Sequence, residues 1–254
     1  MKLYSRIQKK RLVLAGLAAI VMSGCGATLP PPDSTPRQRF DWAMQRMEQG
    51  RYQAAVRAFR DLLFREPQTP TADSARLMIA ESHLRAGDRL LAAGEFSQFH
   101  QTRPNSPLAD DAQLGTCRSY WQTSPDLPRD QEFTHKAIEE CTRLIEFFPR
   151  SEHVETARDI VREARQKAAA KDLRTGTWYF RHGLLEAAII YLEGVVERYP
   201  EAVVMPQVLY LLHNSYSVIG FQAEADATRQ RLITGHPDSE EARQLLGGQD
   251  SGDD

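Results

Sequence analysis

One spacing recurs along the chain and restricts the folds open to it. Four glycines each stand 17 residues before a proline: Gly50, Gly87, Gly183 and Gly220 before Pro67, Pro104, Pro200 and Pro237. A fifth proline, Pro149, has Glu132 in the glycine position. Five positions after every anchor stands an alanine, and twelve positions after it an apolar residue: Ala55, Ala92, Ala137, Ala188 and Ala225, then Leu62, Phe99, Leu144, Val195 and Leu232. Such self-similarity indicates an internal repeat.

Each repeat is expected to form two antiparallel helices. Glycine suits the turn between them because it adopts left-handed backbone without strain, and proline ends the second helix. Small residues fill the close-contact position of the first helix: Ala43, Ala80, Cys117 and Gly176. Three residues after Cys117 and Gly176 stand Tyr120 and Tyr179, and Tyr216 stands at the same position of the fifth repeat, where His213 replaces the small residue. These repeats resemble tetratricopeptide repeats, so we predict an all-α, right-handed superhelix of five helix pairs over residues 37–246.

The N-terminus has the pattern of an export signal. Basic residues precede the apolar run Leu12–Met22, whose 11 residues are too few for a spanning helix of about 20. Met22-Ser23-Gly24-Cys25 resembles the bacterial lipobox, which implies a signal peptide over residues 1–24 and diacylglycerol plus an N-acyl chain on Cys25. No other cofactor is expected. Gly26 favours delivery to the outer membrane, although sorting rules differ among organisms; an ordinary signal peptide with a chance cysteine is the alternative.

The segments flanking the repeats differ from them in composition. Residues 25–36 include four prolines, which favour an extended tether of about 3.1 Å per residue. Residues 247–254 are small and acidic and are predicted to be disordered. The net charge of −2 and the absence of a basic block argue against nucleic-acid binding.

Two repeats are enlarged. Residues 123–131 form an insert between the helices of the third repeat, and residues 152–171 add helix before the fourth. The added helix is polar, which favours a solvated spacer; docking of a partner is the alternative.

In this order, lipobox, tether and five repeats resemble the BamD (ComL) family. Particular matches are Glu146–Ser151 (EFFPRS), Tyr179–Gly183 (YFRHG) and Leu192–Pro200 (LEGVVERYP). The resemblance implies a non-enzymatic, lipid-anchored scaffold of the β-barrel assembly machinery on the periplasmic face of the outer membrane. Expected partners are a BamA-like barrel-forming subunit, other assembly lipoproteins and unfolded outer-membrane proteins. The alternative functions are another repeat-bearing envelope lipoprotein, such as a pilotin or a regulator of cell-wall synthesis, and a cell-wall enzyme.

A peptide-binding groove is predicted on the first helices of repeats one to three, since solenoids commonly bind ligands on their concave face. Its candidate residues are Phe40, Met44, Met47, Leu77, Leu84, Arg85, Leu114, Arg118 and Trp121. Flexible and aromatic side chains suit varied apolar sequences, and arginine suits a carboxylate. Packing between repeats is the alternative role for the apolar members.

Catalytic and metal sites are not expected. The seven histidines fall singly, and no HExxH, GxSxG or phosphate-binding loop is present. Cys117 and Cys141 occupy facing positions of the third repeat, where either a disulfide or two buried thiols would fit. We predict thiols, because a bond needs Cα atoms within about 7 Å and packed helices usually lie farther apart.

Overall fold

The structure is a computed structural model that describes residues 29–127 and 129–247. These residues form eleven α-helices and no strand. The helices are α1 Pro36–Glu48, α2 Tyr52–Arg65, α3 Pro70–Ala86, α4 Arg89–Thr102, α5 Ala109–Thr123, α6 Glu132–Phe147, α7 Val154–Arg181, α8 Leu185–Arg198, α9 Met205–Ile219, α10 Gln222–Gly235 and α11 Glu240–Gly247. None of them combines the length and apolar character that crossing a bilayer requires. The predicted signal peptide, Cys25 and residues 248–254 of the predicted tail lie outside the described residues.

The repeat anchors behave as predicted. Gly50, Gly87, Gly183 and Gly220 have φ values of 72°, 89°, 72° and 88°, in the left-handed region. The five alanines of the repeat are fully buried. Each anchor proline follows shortly after the end of the second helix of its pair. The all-α prediction of tetratricopeptide-like helix pairs is therefore confirmed.

The described part of the chain divides into two compact units, the first ending at Ala86 and the second beginning at Gly87. In the first compact unit, α1 packs on α2 and α2 on α3. The N-terminus of α1 is fixed by a capping box between Thr35 and Gln38, with Pro36 in the first turn. Phe59 lies in the centre of this core, fully buried, with its ring 5.4 Å from that of Phe40.

Arg39 is a buried charged side chain of the first compact unit. Its guanidinium contacts Asp61 Oδ2 at 2.9 Å and donates to the backbone oxygens of Pro32 and Ser34. A turn from Pro31 to Ser34 brings those oxygens into reach. The end of the predicted tether is therefore a turn bound to Arg39 of α1, not a continuous extended run.

The prediction of free thiols in the third pair is wrong. Cys117 on α5 and Cys141 on α6 form a disulfide, with Cα atoms 5.0 Å apart and both side chains fully buried. The same facing positions of the fourth pair hold Gly176 and Leu192, where a Cβ built on the glycine would lie 2.8 Å from Leu192 Cγ. Side chains at these positions point directly at each other, which brings two cysteines within bonding distance.

The added helix of the fourth repeat is the first part of the 28-residue helix α7. Val154, Ala157 and Ile160 pack against the disulfide and Leu144, and we call this group the disulfide cluster. The spacer prediction therefore holds for the polar face alone, because the apolar face is packed on the third pair. Farther along α7, Ala168, Ala169 and Leu173 belong to another core of the second compact unit, together with residues of α8 to α11.

Candidate interaction cleft

The predicted groove residues of the first compact unit are mainly packing residues. Three apolar members are buried, with exposed fractions of 3, 7 and 6%: Met47, Leu77 and Leu84. Phe40 and Met44 are half-buried and pack against the core of α1 to α3. Arg85 is exposed and pairs with Glu81, Nε to Oε1, at 2.7 Å.

The three predicted members in the second compact unit divide in the same way. Leu114 is 8% exposed and packs against the disulfide. Trp121 is half-buried, with Lys167 Nζ 5.3 Å from its ring centre, and Arg118 is exposed. For Met47, Leu77, Leu84 and Leu114 the alternative of core packing is the one observed, so these four present little surface to a peptide. A ligand role for the other five stays a prediction.

A different surface of the second compact unit combines concavity with charge. A cleft of about 550 Å³ is lined by one face of the second half of α7 and by the start of α9: Ala170, Leu173, Arg174, Thr177, Trp178, Arg181, His182 and Gln207. Arg174, Trp178 and Arg181 have the spacing i, i+4, i+7, which places them on one side of a helix. The lining has two arginines and no carboxylate, so it favours an anionic ligand.

The indole of Trp178 is held at this surface by its neighbours. The His182 ring stacks on it at 4.1 Å, and Tyr179 meets it edge to face at 5.1 Å. His182 Nδ1 donates to the Trp178 carbonyl oxygen at 2.7 Å, since a carbonyl can only accept. Gly183, with its left-handed backbone, follows directly after His182 at the end of α7. Although the indole is positioned in this way, the side chain is 53% exposed.

The arginines of the cleft are exposed, and within the described part of the chain neither Arg174 nor Arg181 forms an ion pair. Two arginines in the first part of α7 are paired with acids on the same helix. Arg158 contacts Glu155 at 2.5 Å, and Arg162 contacts Asp159 at 2.6 Å. The cleft therefore presents uncompensated positive charge, whereas the first part of α7 does not.

Ion pairs with residues at and just beyond the end of α8 hold α7 in place near the cleft. Arg198 Nη2 lies 2.9 Å from Asp172 Oδ2, and Arg165 binds the carboxylate of Glu201. The hydrogen bond from Arg165 lowers the pKa of Glu201. Burial raises the pKa of Asp172, although the charge of Arg198 opposes that change. These contacts fix the helix that presents the cleft.

The arrangement is suited to binding, since it joins two guanidinium groups, an exposed indole and an amide. Within the described residues no group of three His, Cys, Asp or Glu side chains is placed to hold a metal ion. This surface is not among the sequence-based predictions, in which Gly176 and Tyr179 serve only as repeat markers. The signal was present in Arg174–His182 (RTGTWYFRH), where basic and aromatic residues recur at helical spacing.

Sequence comparisons with known proteins indicate one family. The family model YfiO, described as outer membrane lipoprotein, matches residues 32–232. Among the similar proteins are three relatives named outer membrane protein assembly factor BamD. The Caulobacter vibrioides protein is 25% identical over 84% of this chain and 72% of its own length. The Xylella fastidiosa protein (strain 9a5c) is 24% identical over 86% and 80%, and the Vibrio cholerae protein 21% identical over 88% and 98%.

The solved structures that resemble this chain share a lower sequence identity with it than these relatives do. A thermophilic TPR protein of Thermus thermophilus aligns with a TM-score of 0.37 and 18% identity, covering 84% of this chain and 98% of its own. BtubC from P. vanneervenii aligns with a TM-score of 0.37 and 16% identity, covering 84% and 81%. Similarity at this level supports no statement about function.

Proposed function

This chain belongs to the YfiO family of outer membrane lipoproteins, and we propose that it acts as an assembly factor for outer membrane proteins. The observation that carries the proposal is the family match over residues 32–232, which includes the disulfide cluster and the cleft on α7 and α9. Relatives from three organisms are named for this role. The chain is accordingly associated with the outer membrane and its assembly machinery.

The finer form of the proposal concerns the partners. The chain is a scaffold that binds a BamA-like barrel-forming subunit and other assembly lipoproteins, and receives unfolded outer-membrane proteins for insertion. The cleft supports a scaffold, because its exposed groups are suited to holding a polypeptide. The proposed role is non-enzymatic, as the name assembly factor of the relatives suggests.

The location is proposed from the sequence. Cys25 carries the lipid anchor, and the helices from Pro36 onward lie on the periplasmic side of the outer membrane. Because two or more acyl chains give durable anchoring where one is marginal, replacing Cys25 with alanine is expected to move the protein out of the membrane fraction. Mass spectrometry of the mature N-terminal peptide would show the lipid directly; an unmodified Cys25 would contradict the anchor.

Affinity purification tests the function. The C-terminally tagged protein is extracted from its native envelope in mild detergent, and the co-purifying proteins are identified by mass spectrometry. A large β-barrel protein with periplasmic domains, recovered in near-equal amount, is the expected result. Recovery of pilus or cell-wall proteins in its absence would contradict an assembly role and favour another class of envelope lipoprotein.

A further inference from the structure

We propose that the cleft binds an extended acidic segment of a partner protein, in which an apolar or aromatic side chain lies between two carboxylates. The inference rests on the proposed function and deepens it, since it states the chemistry that the partner must offer. It starts from the two exposed arginines, Arg174 and Arg181, which lack an ion-pair partner among the described residues, and from the half-exposed indole of Trp178 between them.

The first requirement on the ligand is negative charge. Guanidinium groups form their strongest contacts with carboxylates, through paired charge-assisted hydrogen bonds. Elsewhere on α7 the exposed arginines Arg158 and Arg162 already have carboxylates from their own helix. The cleft lining provides none. The missing carboxylates are therefore expected from the ligand.

Spacing makes the second requirement. Arg181 lies seven helical positions after Arg174, a rise of about 10.5 Å along the axis. An extended chain with three residues per turn returns a side chain to the same side after about 9.3 Å. Two acidic residues three positions apart in such a segment thus match the two arginines, whose long side chains absorb the difference.

The third requirement on the ligand is an apolar or aromatic side chain that fits the surface between the arginines. The Trp178 indole is steadied by the His182 ring, and Ala170 and Leu173 line the same cleft. In such a segment, a side chain at a position between the two carboxylates points to the flank, and an apolar or aromatic one can pack against the indole from that side. The exposed amide of Gln207 can both donate to and accept from the backbone of an extended segment. The lining thus matches both the side chains and the main chain of such a ligand.

Fluorescence polarisation with short labelled peptides tests the proposal on the full-length protein in detergent. The probe carries Glu-Phe-Ser-Glu, and its neutral counterpart carries Gln-Phe-Ser-Gln. Each substitution removes charge-assisted hydrogen bonds to the probe, so the variant Arg174→Gln/Arg181→Gln is expected to bind the acidic probe at least about tenfold more weakly. The neutral peptide should bind weakly to both proteins.

The matched control is Arg158→Gln/Arg162→Gln, which removes the same charge from the same helix outside the cleft. It is expected to bind the acidic probe as the wild type does. Equal loss in the two variants, or equal binding of the acidic and neutral peptides, would overturn the proposal. Trp178→Ala is expected to lower the affinity for the acidic probe as well, whereas an unchanged affinity would contradict the role of the indole.

Two further measurements separate binding from folding and from occupation of the cleft by the acidic tail. If Arg174→Gln/Arg181→Gln loses helix content by circular dichroism, Arg174→Lys/Arg181→Lys takes its place in the test. Lysine keeps the positive charge but cannot form the two parallel hydrogen bonds of a guanidinium, so it should weaken binding in part, and an unchanged affinity would contradict paired contacts.

A chain ending at Gly247 should bind the probe as the full chain does. About tenfold tighter binding would instead assign the cleft to the chain's own acidic tail. The purification experiment is independent, so failure here leaves the assembly role untouched.

Discussion

The two halves of α7 both carry arginines but use them differently. In the first half, exposed Arg158 and Arg162 are paired with acids three residues earlier, while the opposite face packs on the disulfide cluster. In the second half, Arg174 and Arg181 face a cleft beside an exposed tryptophan and have no ion-pair partner among the described residues. Polar composition alone would assign both halves the same role, but pairing distinguishes a solvated face from a surface suited to binding.

The two halves also rest on different supports. The first lies on Leu144 and the Cys117–Cys141 bond. The second half lies on α8. Gly176 of α7 allows the two helices to approach so closely that a side chain at this position would collide with Leu192 of α8. The first support is a covalent bond and the second is close packing, and both can be altered by substituting residues that do not line the cleft.

The largest effect is expected from the disulfide. Cys117→Ala/Cys141→Ala opens a loop with a sequence separation of 24 residues, and the chain-entropy model gives a loss of about 3 kcal/mol in the free energy of unfolding. Urea denaturation of the oxidised protein and the variant measures the difference. Reductant should then lower the stability of the wild type and leave that of the variant unchanged; equal stability of the two proteins would contradict a supporting role.

Gly176→Ala tests the packing under the second half. A Cβ there would meet the fully buried Leu192, and such overpacking costs about 1–3 kcal/mol. Gly94→Ala is the matched control, because the space around Gly94 is open; it should gain about 0.5–1 kcal/mol from helix propensity. Thermal or urea unfolding of both variants gives the comparison, and stabilisation by both would contradict the close contact.

A smaller effect concerns the pH dependence of stability. The folded-state pKa of Glu201 lies below its ordinary value of 4.5 because of Arg165, so its contribution is present above that pH and is lost as the pH falls through the lowered pKa. Both groups are partly exposed, which limits the contribution to about 1 kcal/mol. Glu201→Gln should therefore be less stable than the wild type near pH 6, and the difference in the free energy of unfolding should become smaller as the pH falls toward 3. A difference that stays constant between about pH 6 and pH 3 would contradict the assignment.

The smallest effect is expected in the first half of α7. Arg158→Gln/Arg162→Gln breaks two exposed i, i+3 pairs, and each such pair contributes about 0.3–0.5 kcal/mol. The unfolding midpoint in urea should therefore shift only slightly. A loss of several kcal/mol would show that these pairs hold the helix to the third pair, and would remove the contrast between the two halves.

The repeat itself was predictable because its constraints are local. A left-handed glycine, a buried alanine and a terminating proline each act within one helix pair, so their spacing predicted the turns and the contacts. The disulfide was mispredicted because typical helix separations do not describe positions whose side chains point at each other. Arg39 was missed as a buried cation, since its partners Asp61 and the turn at Pro32 come together only in the fold.

The cleft could be predicted only in part for the same reason. Helical spacing of Arg174, Trp178 and Arg181 is visible in the sequence, but their exposure depends on which face of α7 the packing on α8 leaves uncovered. The sequence placed the predicted groove on the first helices of repeats one to three, where most of the apolar candidate residues are buried in packing contacts. The observed cleft lies mainly on the first helix of the fourth repeat.

The most direct test of the cleft as the partner-binding surface is quantitative purification from the native envelope with three versions of the tagged full-length protein. These are the wild type, Arg174→Gln/Trp178→Ala/Arg181→Gln, and the control Arg158→Gln/Arg162→Gln. At equal protein level in the membrane, the cleft variant is expected to lose an assembly-machinery partner that the other two retain. Recovery of the same partners in equal amounts by all three would contradict a partner-binding role for the cleft.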